Sequence, residues 1–153
     1  LPQAQKMTAP RYQDIPARDI PETRPADGVT MRVIAGEVGD VAGAVTGIAA
    51  RPLYLDISLD AGATLEVPVP EGHSAILHPC DGAARVGDHT VAEGHLAVLG
   101  DGDRIALSAD APVRLLLLAA RPWREPIARH GPFVMNTRAE IAQAVQDYQS
   151  GRF

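Results

Sequence analysis

Five histidines, one cysteine and a scattered set of acids are the side chains with which this chain could hold a metal or move a proton. Inside a β-structure two imidazoles reach one ion most simply from positions two apart, because residues i and i+2 of a strand share a face. With a nearby carboxylate, such a pair suits iron and similar first-row ions. No His-x-His pair occurs in the sequence. His73 and His78 are separated by an odd offset, which on one regular strand turns them to opposite faces. His78-Pro79-Cys80 sets a ring and a thiol two apart, but Pro79 and the Asp81-Gly82 turn signal predict that the strand ends there. The Glu93-Gly94 turn separates His89 from His95, and His130 stands just before Gly131. A set such as Glu71, His73 and His95 forms only if tertiary folding gathers it. The expectation is therefore no metal ligand, no cofactor-binding residue and no catalytic residue in this chain, with the histidines at surface and turn positions.

Other chemistries find as little. Ser74 and Ser108 lack the tight strand-to-helix turn of a nucleophile elbow. The glycines at 36–39 and 43–47 lack the strand-to-helix context of a phosphate loop. Glu37 and Glu125 are expected to anchor loops by hydrogen bonds rather than to work as acid or base. Cys80 has no partner for an internal disulfide, suits a reducing, cytoplasmic setting, and reads as a small residue beside a turn. The formal net charge is −5, with arginines and acids interspersed, so no basic face for nucleic acid is expected. The longest uncharged apolar run, Leu115–Ala120, is far too short for a membrane-spanning helix.

The elements that would position these residues are mostly strands. Pro10, Pro16, Pro21 and Pro25 make residues 1–28 an extended linker or strap. Val29 to Gly36 reads as a strand, and Asp40 to Arg51, rich in Gly and Ala, as a loop. Leu53, Leu55, Ile57 and Leu59 then alternate with polar neighbours, the pattern of a strand with one buried face. Leu65, Val67 and Val69 repeat it, and Pro68 and Pro70 push that strand toward an edge or its end. Further short strands are expected at 74–78, 83–86, 89–92, 96–99, 104–108 and 113–119, punctuated by Gly and Asp turns. Many short strands at this spacing predict an all-β sandwich or barrel over residues 29–120.

Residues 121–153 differ. Thr137 and Glu140 have the spacing of a capping box, Ile141, Ala144, Val145 and Tyr148 share one helical face, and Gly151 is a plausible stop. That face packs either on the chain's own sandwich or on a neighbouring domain. Phe133, Val134 and Met135, three apolar residues in a row before the cap, are costly to leave in water. They are read as a docking segment, with Ile141 and Tyr148, against local packing as the alternative.

Literal motifs at both ends of the chain resemble the pirin family. They are Lys6 to Ile15, Arg32 to Glu37, Glu125-Pro126-Ile127 and Gly131-Pro132-Phe133-Val134-Met135-Asn136-Thr137. The resemblance covers essentially the whole chain, departing at Ala120, where Gly is usual, and at Trp123, where Leu is usual. Pirins are bicupins, and this chain resembles the second cupin only. The resemblance therefore implies a cupin-type jelly roll with one C-terminal helix, from the C-terminal half of a longer protein. It implies three His and one Glu binding iron in the N-terminal cupin, so none of those ligands falls on a position of this sequence. It implies quercetin 2,3-dioxygenase activity for the longer protein, with this half supporting the iron cupin as its partner. The alternatives are a protein-interaction module in transcriptional co-regulation, or an autonomous cupin that binds a small molecule without metal.

Overall fold

Alternating residues between Val29 and Ala120 become strands that bury one face, while Ile34, Ile76, Leu116 and Leu118 lie half-buried on the other. The computed structural model describes residues 1–152. It comprises two units: Tyr12–Pro122, and Leu1–Arg11 gathered with the chain from Trp123 onward. The first unit holds twelve strands. In chain order they are β1 (Glu22–Thr23), β2 (Val29–Ala35), β3 (Glu37–Val38), β4 (Val41–Ala42), β5 (Leu53–Leu59) and β6 (Thr64–Pro68), then β7 (Ser74–Asp81), β8 (Ala84–Val86), β9 (His89–Val91), β10 (Ala97–Val98), β11 (Arg104–Ser108) and β12 (Val113–Ala120).

Two antiparallel sheets make this unit a sandwich. One has the order β1-β2-β5-β12-β7-β10, the other β6-β11-β8-β9, and β3 and β4 form a small ribbon. The six-stranded sheet sends Met31, Leu55, Ile57, Leu77, Leu115 and Leu117 inward, each fully buried. Leu65, Val67, Ile105 and Leu107 meet them from the other sheet in one continuous core. Each such side chain taken out of water contributes ~1.5–3 kcal/mol before chain entropy is counted.

Pro68 closes β6, and β6 is the outer strand of its sheet, so the missing N–H there leaves no ladder incomplete. The expected end of a strand at His78 is corrected: β7 runs on to Asp81, with Pro79 inside it and fully buried. The Pro79 carbonyl accepts from Gly94 N at 3.0 Å, outside the short β10 ladder. A residue's N–H and C=O share one side of a strand, so the absent donor lies where β10 has no pairing to lose. The register against β12 slips here, with Leu115 opposite Pro79 and Arg114 opposite Asp81, and leaves Cys80 as the extra residue of a bulge.

The segment expected as a loop from Asp40 to Arg51 carries β4 and a parallel bridge between Ala35 and Val45. Its remaining residues are irregular.

The second unit contains the hairpin β13 (Ala128–His130) and β14 (Phe133–Met135), followed by the helix α1 (Arg138–Gln149). Gly131, at φ +53°, makes the hairpin turn. Among the described residues no helix is long and apolar enough to cross a membrane.

Candidate ligand-binding mouth of the sandwich

At one end of the sandwich the chain leaves β2, folds through the β3–β4 ribbon and a loop, and returns as β5. The end of β6 and the residue before β7 complete a cavity of about 810 Å³. Two glycines shape it. Gly36 has φ +86°, and a Cβ there would lie 2.8 Å from the Pro52 carbonyl oxygen. A Cβ on Gly43 would lie 2.7 Å from the Ala35 Cα. Only the bare backbone permits that approach, which Gly43 N to Gly36 O and Val45 N to Ile34 O, both 2.8 Å, hold in place.

The walls are mainly apolar: Val45, Ile48, Leu53 and Val69 among others. Three side chains bring charge or titratable nitrogen to the cavity: Glu37, Arg51 and His73. Arg51 holds a left-handed backbone, φ +42°, which a side chain seldom adopts. His73 Nδ1 lies 3.0 Å from the Pro70 carbonyl. A carbonyl only accepts, so Nδ1 carries the proton, and Nε2 of the neutral ring is an acceptor.

The remaining histidines are dispersed. His78 Nδ1 donates to the His95 carbonyl at 2.9 Å, and His95 Nδ1 to the Glu93 carbonyl at 3.1 Å. His89 and His130 are exposed, as is Cys80, whose thiol reaches the His78 carbonyl at 3.7 Å. Among the described residues no three His, Cys, Asp or Glu side chains come together as a metal site, and Glu71, His73 and His95 are not gathered. The donor set of these residues does not fit an iron centre.

In the second unit, Thr137 and Glu140 make the capping box that their spacing predicts. Glu140 N donates to Thr137 Oγ1 at 3.2 Å, and Thr137 N donates to Glu140 Oε2 at 2.7 Å. Glu140 Oε2 also accepts from Asn136 N at 2.9 Å, and Oε1 from Gln3 Nε2 at 2.9 Å. These donors, Gln3 foremost, hold the Glu140 carboxyl below the usual carboxylate range. Glu125 Oε2 accepts from Gln3 N at 2.7 Å and from Asn136 Nδ2 at 3.1 Å, so this carboxylate ties three segments together. Glu37, by contrast, is exposed at the mouth.

Of the residues read as a docking segment, Phe133 meets Tyr148 edge to face, centroids 5.9 Å apart. Phe133, Met135 and Ile141 are half-buried, while Val134 and Tyr148 are exposed. Sequence reasoning did not single out Gln3, Arg51 or Asn136. Asn136 is buried and also donates Nδ2 to the Pro126 carbonyl at 2.9 Å. Its visible signals are its place in the Gly131–Thr137 motif and its polarity between Met135 and the helix cap.

Comparison with known proteins gives a consistent set of relatives. A pirin-like protein of Caulobacter vibrioides is 43% identical over the whole of this chain, which covers 56% of it. Mouse pirin is 38% identical over 99% of the chain and 54% of its own length. A putative quercetin 2,3-dioxygenase of Pseudomonas aeruginosa is 39% identical, with 99% and 55% covered. The chain thus spans little more than half the length of these relatives. The crystal structure of a quercetin 2,3-dioxygenase from Acinetobacter baumannii superposes with TM-score 0.91 at 38% identity, over all of this chain and 54% of that one. The family model for the pirin C-terminal cupin domain matches residues 54–153. That match takes in most of the cupin sandwich together with the hairpin and helix beyond it, and on it the chain belongs to the pirin family as a C-terminal cupin domain.

Proposed function

We propose that this domain is the non-metal-binding half of a pirin-like bicupin, and that it supports an iron-dependent N-terminal cupin that opens flavonols in the manner of a quercetin 2,3-dioxygenase. The observation that carries the reading is coverage: this chain matches its relatives end to end, yet accounts for only 54–56% of the three described above. The rest of each relative is room enough for a second cupin. The dispersed histidines of this chain support the same division of labour. Iron, dioxygen and substrate would be held in the N-terminal half, on the same polypeptide or a separate chain.

The second unit supplies a surface for that half. Ile127 is 75% exposed, Tyr148 65% and Val134 43%. Apolar side chains at such exposure favour a covering partner.

The test compares this chain with the longer product of its reading frame in metal analysis and in a quercetin absorbance assay. The expected result is stoichiometric iron and loss of the flavonol band, with carbon monoxide released, for the longer protein only. Stoichiometric iron and flavonol cleavage by this chain alone would overturn the reading. A second reading, a protein-interaction module, draws on the same exposed apolar residues. An iron-loaded longer protein that leaves quercetin intact would favour it.

A further inference from the structure

A supporting role leaves the mouth of the sandwich unused, and that mouth is built like a site. We propose that it binds a small organic monoanion with an apolar body, of the aryl carboxylate class, its carboxylate held by Arg51. The cavity, about 810 Å³, is of the size that takes small ligands. Leu53 and Val69 give it apolar walls, and both are themselves buried, so the lining is fixed by the core behind it. Gly36 and Gly43 fold the loop against β2 and keep the space open.

Three polar groups narrow the ligand. Arg51 is the one arginine of the cavity, and no ion pair to a protein carboxylate is found for it among the described residues. Its left-handed backbone is a strained setting that glycine would fill without penalty. Strain of this kind gathers at ligand sites, where the side chain it displays has a use. Guanidinium and carboxylate match as paired donors and acceptors. His73 has Nδ1 committed to Pro70, which leaves Nε2 as an acceptor for a ligand hydroxyl. Glu37 on the same cavity opposes a second negative charge, so a monoanion is favoured over a phosphate.

The experiment titrates the 153-residue chain with 4-hydroxybenzoate, benzamide and inorganic phosphate, following backbone amides by NMR. The expected result is saturable shifts of the Gly36, Val45 and His73 amides with 4-hydroxybenzoate at millimolar ligand. Benzamide, which loses the charge-assisted hydrogen bond, and phosphate, which brings no apolar body to the walls, should each bind about tenfold more weakly or worse. Arg51→Gly should weaken 4-hydroxybenzoate by about tenfold or more while its melting temperature does not fall, since glycine adopts this backbone freely. Arg51→Lys should keep part of the affinity. No saturable shift, equal binding of benzamide, preference for phosphate, or an Arg51→Gly variant that binds as well as the parent would each overturn the proposal.

Discussion

Glu140 shows how much one carboxylate can organise. It closes the first turn of α1 and also receives Gln3, so its charge is worth more folded than unfolded. Its folded pKa lies below the ordinary value, chiefly through the Gln3 bond. The linkage then has a definite sign: the stabilisation is fully present above the ordinary carboxylate range and is lost as pH falls through the lowered folded value. Glu140→Gln should therefore melt lower than the parent at neutral pH, and the two should converge in acid. Melting curves against pH read this directly, and the NMR titration of the Glu140 side-chain carboxyl carbon should give a midpoint below the usual range. A midpoint at or above that range would contradict the account. At this scale the sequence was half legible. Thr137 and Glu140 announce themselves by their spacing of three, but Gln3 lies 137 residues from Glu140, and no local pattern marks it. Asn136 and Arg51 escape for a different reason: the bonds of Asn136 to Glu125 and Pro126 follow no periodic spacing, and nothing in the residue type of Arg51 announces its left-handed backbone.

Among the elements, the loop between β2 and β5 depends most on a single atom's absence. Gly43→Ala would drive a Cβ into the Ala35 backbone, which cannot turn aside as a flexible side chain would. Chemical denaturation should show a loss of ~1–3 kcal/mol, the usual cost of overpacking. Gly100→Ala makes a fair control, because a Cβ there meets nothing within 4 Å, and its effect should stay within about 0.5 kcal/mol. Strands with one buried face could be read directly where polar residues alternate, as in β2, β5 and β6; in β12 burial alternates, but Leu115–Ala120 is an unbroken apolar run. The extension of β7 through Pro79 could not, because tolerance of proline depends on which side of the strand lacks a partner. The β3–β4 ribbon and the β13–β14 hairpin are too short to carry a periodic signal.

At the scale of the molecule, each unit leaves some apolar surface in water. The sandwich closes its core around aliphatic side chains yet leaves Leu96 and Val98 outside it, and the second unit leaves Ile127, Val134 and Tyr148 exposed. Replacing Ile127 and Val134 by Ser should change the stability of this chain alone by no more than about 0.5 kcal/mol each, as for other solvent-facing positions. The same pair of changes should lower the melting temperature of the longer protein if the N-terminal half covers them; calorimetry on both would decide. The overall class, a β-sandwich with one terminal helix, was open to reading because turns and alternation recur along most of the chain. The division into units was not, because it rests on contacts between residues at opposite ends.

Gln3 N bonds to Glu125 across 122 positions, while every strand pairing of the sandwich falls between Glu22 and Ala120. During synthesis the sandwich therefore has all its pairing partners before the helix leaves the ribosome, and the clasp at Gln3 must wait until Glu125 and Glu140 have been made. Premature termination just past Pro122 would spare every rung of the sandwich's ladders and forfeit the β13–β14 hairpin, α1 and the bonds of Gln3 to Glu125 and Glu140.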